Sequence, residues 1–221
     1  LWFAPSDEFL KDRETVVVKS DGNYTYFAND IAYHNLKFES NPDLVVDVFG
    51  ANHHGHVPRL QAVIKALGYD VSRFQVILYQ WVRFKRGGEL IKMSKRSGTF
   101  VTAREVLDEV GKDALRFFIL LHDANSHIDF DLDLAKKKSN KNPVYYVQYA
   151  HARICSILSK VIHEPGSQSY SEPGSEQVNY ELLTTSYELE LIKQITRLPE
   201  LVEDIASSFA VHRLTSYAID L

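Results

Sequence analysis

The chain has 221 residues, 45% of them hydrophobic and 24% charged, with 25 Lys and Arg against 29 Asp and Glu for a formal charge of −4. That composition excludes a disordered, collagenous or disulfide-stapled chain, and no apolar run approaches the roughly 20 residues of a membrane helix. The lone Cys155 points to a reducing compartment, and with no secretory pattern at the start a cytoplasmic location is expected.

In chain order, Val16-Val17-Val18 is a short β-branched run closed by the turn signal Asp21-Gly22-Asn23. The run from Leu44 to Phe49, ending at Gly50, reads as a buried parallel strand. Pro58 then starts a helix with Leu60, Val63, Ile64 and Leu67 on one face and Gly68 just past its end. Phe74 to Phe84, rich in β-branched and aromatic residues, predicts one further strand, followed by a hairpin-type turn at Arg86-Gly87-Gly88-Glu89. This strand–helix–strand order predicts an α/β sheet with crossover helices.

The second half carries the helical period. Asn142-Pro143 is an N-cap with Pro at the first helical position, and Val147, Ala150, Ile154, Ile157 and Val161 form one stripe of a long helix. A Pro/Gly/Ser-rich loop is expected between Glu164 and Ser175, then helices over about residues 177–196 and from Pro199 to the end. The α/β-to-helical boundary falls near residues 130–140.

The sharpest chemical signal is Lys92-Met93-Ser94-Lys95-Arg96-Ser97-Gly98. Two lysines three apart in a Ser/Gly loop can converge on one anionic group, and glycine lets such a loop move. From Arg83 to Arg96 there are six basic residues against one acid. A generic Lys-x-x-Lys is usually a solvated turn, but the whole string is far more specific. Tyr26 and Asp30 are four apart, so a helix begun near Phe27 puts both on one side. Read as residue types alone, Asp30 is a helix-dipole partner and Tyr26 a core aromatic. Tyr149 and Arg153 are likewise i and i+4, an aromatic platform and a cation on one face. Tyr145 and Tyr146 read equally well as packing residues. The run Lys136, Lys137, Lys138 and Lys141 reads first as a solvated face, with an RNA backbone contact as the second possibility.

Lys92-Met93-Ser94-Lys95 resembles the KMSK loop of class I aminoacyl-tRNA synthetases. The stretches Asp21–His34, Gly50-Ala51-Asn52-His53-His54-Gly55-His56, Phe130-Asp131 and Asn142–Arg153 narrow the resemblance to the arginyl type of bacteria, in family order over about residues 1–160. The resemblance implies a partial Rossmann-like class I catalytic domain over residues 1–135, followed by the start of an all-α anticodon-binding domain over 136–221. It implies ATP-dependent activation of arginine and transfer to tRNA-Arg, with Mg²⁺ accompanying ATP, in a monomer with no membrane partner.

By the same resemblance, Lys92, Ser94 and Lys95 serve the triphosphate chemistry, and Gly50, Asn52 and Met93 the nucleotide. Tyr26, Asp30 and His53 contact the arginine, and Tyr149 and Arg153 the tRNA. The family more often has Asp at the Asn52 position. His53-His54-Gly55-His56 spells the other class I signature, His-x-Gly-His, but lies after a later strand than that signature occupies. The sequence also opens on Leu1 without Met and stops at Leu221 inside an amphipathic pattern. A fragment lacking the true His-x-Gly-His element, and inactive alone, is therefore expected. Three histidines this close do not supply zinc spacing or a fourth ligand, so no metal site is expected. Two other readings remain: a cysteinyl-type synthetase, and a non-catalytic tRNA- or RNA-binding module.

Overall fold

The computed structural model describes residues 1–5, 8–10, 14–91, 101–163 (backbone alone at 161–163) and 185–221. The chain divides into two compact units, Leu1–Trp81 with Ala124–Ser126, and Val82–Asp123 with His127–Leu221.

In the first unit, β1 (Trp2–Phe3) pairs antiparallel with β2 (Thr15–Val16), and Val18 bridges Tyr24 across the predicted turn. Helix α1 (Tyr26–Glu39) starts at Thr25, whose extended backbone lets its Oγ1 accept the Ala28 N–H at 3.3 Å. Its buried residues, Phe27, His34 and Phe38, recur at the spacing of one helical face.

Strand β3 (Val45–Gly50) runs parallel to β4 (Phe74–Tyr79), and the connection carries α2 (Val57–Ala66). This is the predicted βαβ unit. Leu60 and Ile64 of α2 pack with Phe38, Val45 and Phe74 in a fully apolar cluster. Gly68, at φ +86°, turns the chain out of α2, and the next amide, Tyr69 N–H, bonds back to the Ile64 carbonyl at 3.1 Å. Burial along β3 alternates rather than being continuous: Val45 and Asp47 point inward, while Val46 and Val48 are exposed. An apolar run does not reveal which face is covered; among the described residues α1 and α2 pack on the Val45/Asp47 side.

In the second unit, β5 (Val82–Arg86) pairs parallel with β7 (Ile128–Asp131) and antiparallel with β6 (Glu89–Leu90). Gly87 and Gly88, at φ +62° and +82°, form the two-residue turn expected between β5 and β6. The single strand predicted over Phe74–Phe84 is therefore two strands in two sheets. The break comes at Gln80-Trp81, where Gln80 N–H leaves the β3 ladder for the Ala124 carbonyl at 2.9 Å.

Helices α3 (Ala103–Val110), α4 (Lys112–Leu120) and α5 (Leu132–Lys136) surround a core of Val106, Phe118, Ile128, Phe130 and Leu132. Thr102 and Glu105 close a reciprocal capping box on α3. The long helix α6 (Pro143–His163) starts where the sequence places it. Within its predicted stripe, Ile154 and Ile157 are each 56% exposed. The later helices are α7 (Ser186–Thr196), α8 (Leu198–Ser208) and α9 (His212–Asp220). The single helix expected from Pro199 onward is thus split, because Phe209 adopts a left-handed φ of +57° and donates its N–H to Ile205. The 164–175 loop lies outside the described residues.

Candidate active site

The site in the first unit is assembled at two element ends. The first turns of α1 carry Tyr26 and Asp30, and the end of β3 opens into a short 3₁₀ turn, Ala51–His56, that carries Asn52, His53 and His56. Tyr26 is 90% exposed, which rules out the core-aromatic alternative. Asp30 lies beyond the first turn of α1, whose first turn holds no acid, so the helix-dipole alternative fails as well.

Asp30 Oδ2 accepts a hydrogen bond from His56 Nε2 at 3.0 Å, which joins α1 to the 3₁₀ turn. The His56 ring lies edge-on to Phe27 and tilted against Phe49, with centroids 6.0 and 6.4 Å away. His53 is exposed and inclines against Phe49 at 6.0 Å; His54 Nδ1 meets the Ala51 carbonyl at 3.2 Å. Only His56 of the three faces Asp30, and sequence reasoning gave it no role. The available signal was its place at the end of a turn that follows an apolar strand.

Gly50 is a close-approach glycine. A Cβ there would stand 2.8 Å from Asn52 Oδ1, so the Asn52 carboxamide folds over the Gly50 backbone. The structure therefore brings Gly50 and Asn52 together at the carboxyl end of β3.

Beneath the site lies a second feature that the sequence reading missed. Asp47, on the inward face of β3, receives His34 Nε2 at 2.7 Å and Lys37 Nζ at 2.5 Å. His34 is 3% exposed, and its Nδ1 contacts the Asp30 backbone carbonyl at 2.7 Å. Both of its ring nitrogens thus face oxygen atoms, one on the α1 backbone and one on Asp47. Burial works to raise the Asp47 carboxyl, but hydrogen bonds and charge from His34 and Lys37 outweigh it and hold it below the usual carboxylate range. The sequence offered an acid within an apolar run; that it faces inward, and so demands a partner, is set by the packing of α1 and α2.

Lys92, Met93, Ser94 and Lys95 lie outside the described residues. The basic residues just before them do not stand free. Arg83 and Lys85 both pair with Asp129 at 2.7 Å, and Arg86 pairs with Glu109 at 2.6 Å.

In the second unit, Arg153 donates to the Tyr149 hydroxyl at 3.4 Å, and its guanidinium carbon lies 5.9 Å from the Tyr149 ring centre. That hydroxyl raises the Arg153 guanidinium above its ordinary value. Tyr145 stacks on Tyr149 with centroids 6.0 Å apart and planes 11° from parallel, while Tyr146 is exposed. A groove of about 620 Å³ beside them is lined by Lys138, Ser139, Asn140, Lys141, Tyr145 and Tyr149. Of the basic run, Lys136 is committed to Glu109 at 2.7 Å.

Comparison with known proteins gives concordant results. Residues 5–152 match the family model of class I (R) tRNA synthetases, catalytic domain, and residues 147–221 match the DALR anticodon binding domain. The arginine–tRNA ligase of Syntrophotalea carbinolica is 48% identical over all 221 residues, which span 39% of its length. A solved structure from Campylobacter jejuni, assigned as an arginyl-tRNA synthetase, is 31% identical with a TM-score of 0.80, covering 99% of this chain and 46% of that one. Thermus thermophilus arginyl-tRNA synthetase, 21% identical, shares the fold at a TM-score of 0.71 over 100% of this chain and 44% of its own. These matches favour the arginyl over the cysteinyl type, and the chain belongs to the arginyl class I tRNA synthetases.

Proposed function

We propose that the protein is an arginine–tRNA ligase, which joins arginine to ATP as arginyl-adenylate with release of pyrophosphate and then passes the arginyl group to tRNA-Arg. The observation that carries this reading is the 3.0 Å contact of Asp30 with His56, which sets a carboxylate of α1 beside the turn carrying Asn52 and His53. A guanidinium is a planar fork of donors, answered by a carboxylate with aromatic and polar neighbours. Asp30 supplies the charge, the exposed Tyr26 a ring beside it, and His53 a third contact. Gly50, lacking a side chain, lets the Asn52 carboxamide lie against the end of β3, and Asn52 offers that carboxamide to the ribose hydroxyls.

The chemistry needs no covalent enzyme intermediate and rests on positioning and on stabilising charge at the phosphates. Lys92 and Lys95 supply that charge, with Ser94 and Met93 shaping the loop. The family uses ATP, and Mg²⁺ accompanies it on the phosphates. The α/β part ends near residue 135, after β7 and α5, and the helical part from 136 holds the tRNA through Tyr149 and Arg153. Such a function places the protein with the translation machinery of the cytoplasm.

The test is arginine-dependent ATP–pyrophosphate exchange by the full-length protein. Asp30→Ala should raise the arginine KM at least about tenfold at unchanged ATP KM, and Lys95→Ala should lower kcat by about 10²–10³. Normal exchange by Asp30→Ala at unchanged arginine affinity refutes the substrate assignment.

A further inference from the structure

We propose that His56 is a positioning residue for the arginine-binding carboxylate: it fixes Asp30 so that one oxygen stays turned toward the substrate guanidinium. The inference rests on the arginine reading of Asp30 given above.

A carboxylate on a half-exposed helix turn rotates about two side-chain bonds, and that freedom has to be given up when it grips a planar ligand. Here His56 Nε2–H donates to Asp30 Oδ2 at 3.0 Å, and among the described residues Oδ1 has no hydrogen-bond partner. The donor's direction is itself fixed, because the ring is wedged against Phe27 of α1 and Phe49 of β3. The backbone of residue 30 is held independently, its carbonyl engaged by the buried His34. Asp30 is therefore anchored at main chain and at one carboxylate oxygen, and the other oxygen is presented with little freedom left to lose. The two other histidines of the turn cannot take this role: His54 is turned to the Ala51 carbonyl and His53 lies against the far ring, Phe49.

The experiment is the same exchange assay on the full-length protein, with His56→Phe and His56→Gln beside Asp30→Ala. Phe keeps an aromatic ring between Phe27 and Phe49 but removes the donor; Gln restores an amide donor near the Nε2 position. His56→Phe should raise the arginine KM about tenfold with ATP KM and thermal midpoint unchanged, and His56→Gln should recover most of that loss. An unchanged arginine KM in His56→Phe overturns the proposal, as does a lower one, which would mean that His56 competes with the guanidinium. Equal loss in both variants with a lowered thermal midpoint assigns His56 to the fold alone. If Asp30→Ala itself leaves the arginine KM unchanged, the arginine reading fails and this inference with it. A raised KM in Asp30→Ala beside an unaffected His56→Phe removes only the positioning role.

Discussion

Asp47 is the residue on which the geometry beneath the site turns. It is an ionised group on the buried face of a strand, stabilised there by a histidine and a lysine from α1. Removing Asp47 leaves buried His34 and partly buried Lys37 without their carboxylate partner, which costs about 3–5 kcal/mol. Asp47→Ala should lose about that much in urea unfolding at pH 7. The pH dependence follows from the direction of the shift. The folded carboxyl lies below its unfolded value, so its contribution is fully present above the unfolded value of about 4 and is lost as pH falls through the folded one. The stability gap between wild type and Asp47→Ala should therefore narrow steadily below about pH 4; a gap that stays constant to pH 2 contradicts the pairing. Gly50 makes a smaller demand. Gly50→Ala pushes a methyl to within 2.8 Å of Asn52 Oδ1, so the carboxamide must move. The expected result is a raised ATP KM with arginine KM little changed.

At the scale of elements, the joint between α5 and α6 is built on one side chain. Buried Asn142 donates to the carbonyls of Ala135 and Lys137 at 3.0 and 2.8 Å, and accepts the Val144 N–H at 3.0 Å. Asn142→Ala strands these backbone groups and should cost about 2–3 kcal/mol, with faster amide exchange in the first turn of α6. Its helix-capping role was legible, because Asn-Pro ahead of a helical period is a local signal. The two further bonds back to α5 were not, since nothing local tells which carbonyls lie within reach. The same division runs through the strands. Gly87-Gly88 announced its own turn through the positive φ that both positions need. The break at Gln80-Trp81 had no such mark, because the choice between continuing beside β3 and crossing to β7 belongs to partners distant in sequence.

Over the whole molecule, charge shows most plainly how sequence and space diverge. The window Arg83–Arg96 holds six basic residues and one acid, yet Arg83, Lys85 and Arg86 are paired with Asp129 and Glu109, brought in from β7 and α3. For the helical part, the proposed tRNA contact pairs a cation, Arg153, with the Tyr149 ring 5.9 Å away. In the full-length protein, Arg153→Ala should weaken tRNA binding and reduce the slope of log affinity against log salt by about 1, whereas Tyr149→Ala should weaken binding with the slope unchanged.

By itself the sequence determined what is local or ordered along the chain: the cap at Asn142, the βαβ alternation, the glycine turn, and the succession of motifs that marks the arginyl family. Only the tertiary structure decided that Asp30 meets His56 across 26 positions, that Asp47 is buried with His34 and Lys37, and that an apparently single strand serves two sheets. The reason is physical. Periodicity and capping are set by neighbours a few residues away, whereas the partner of a buried or half-buried charge is chosen by which elements pack together, and that is fixed only when the chain has folded.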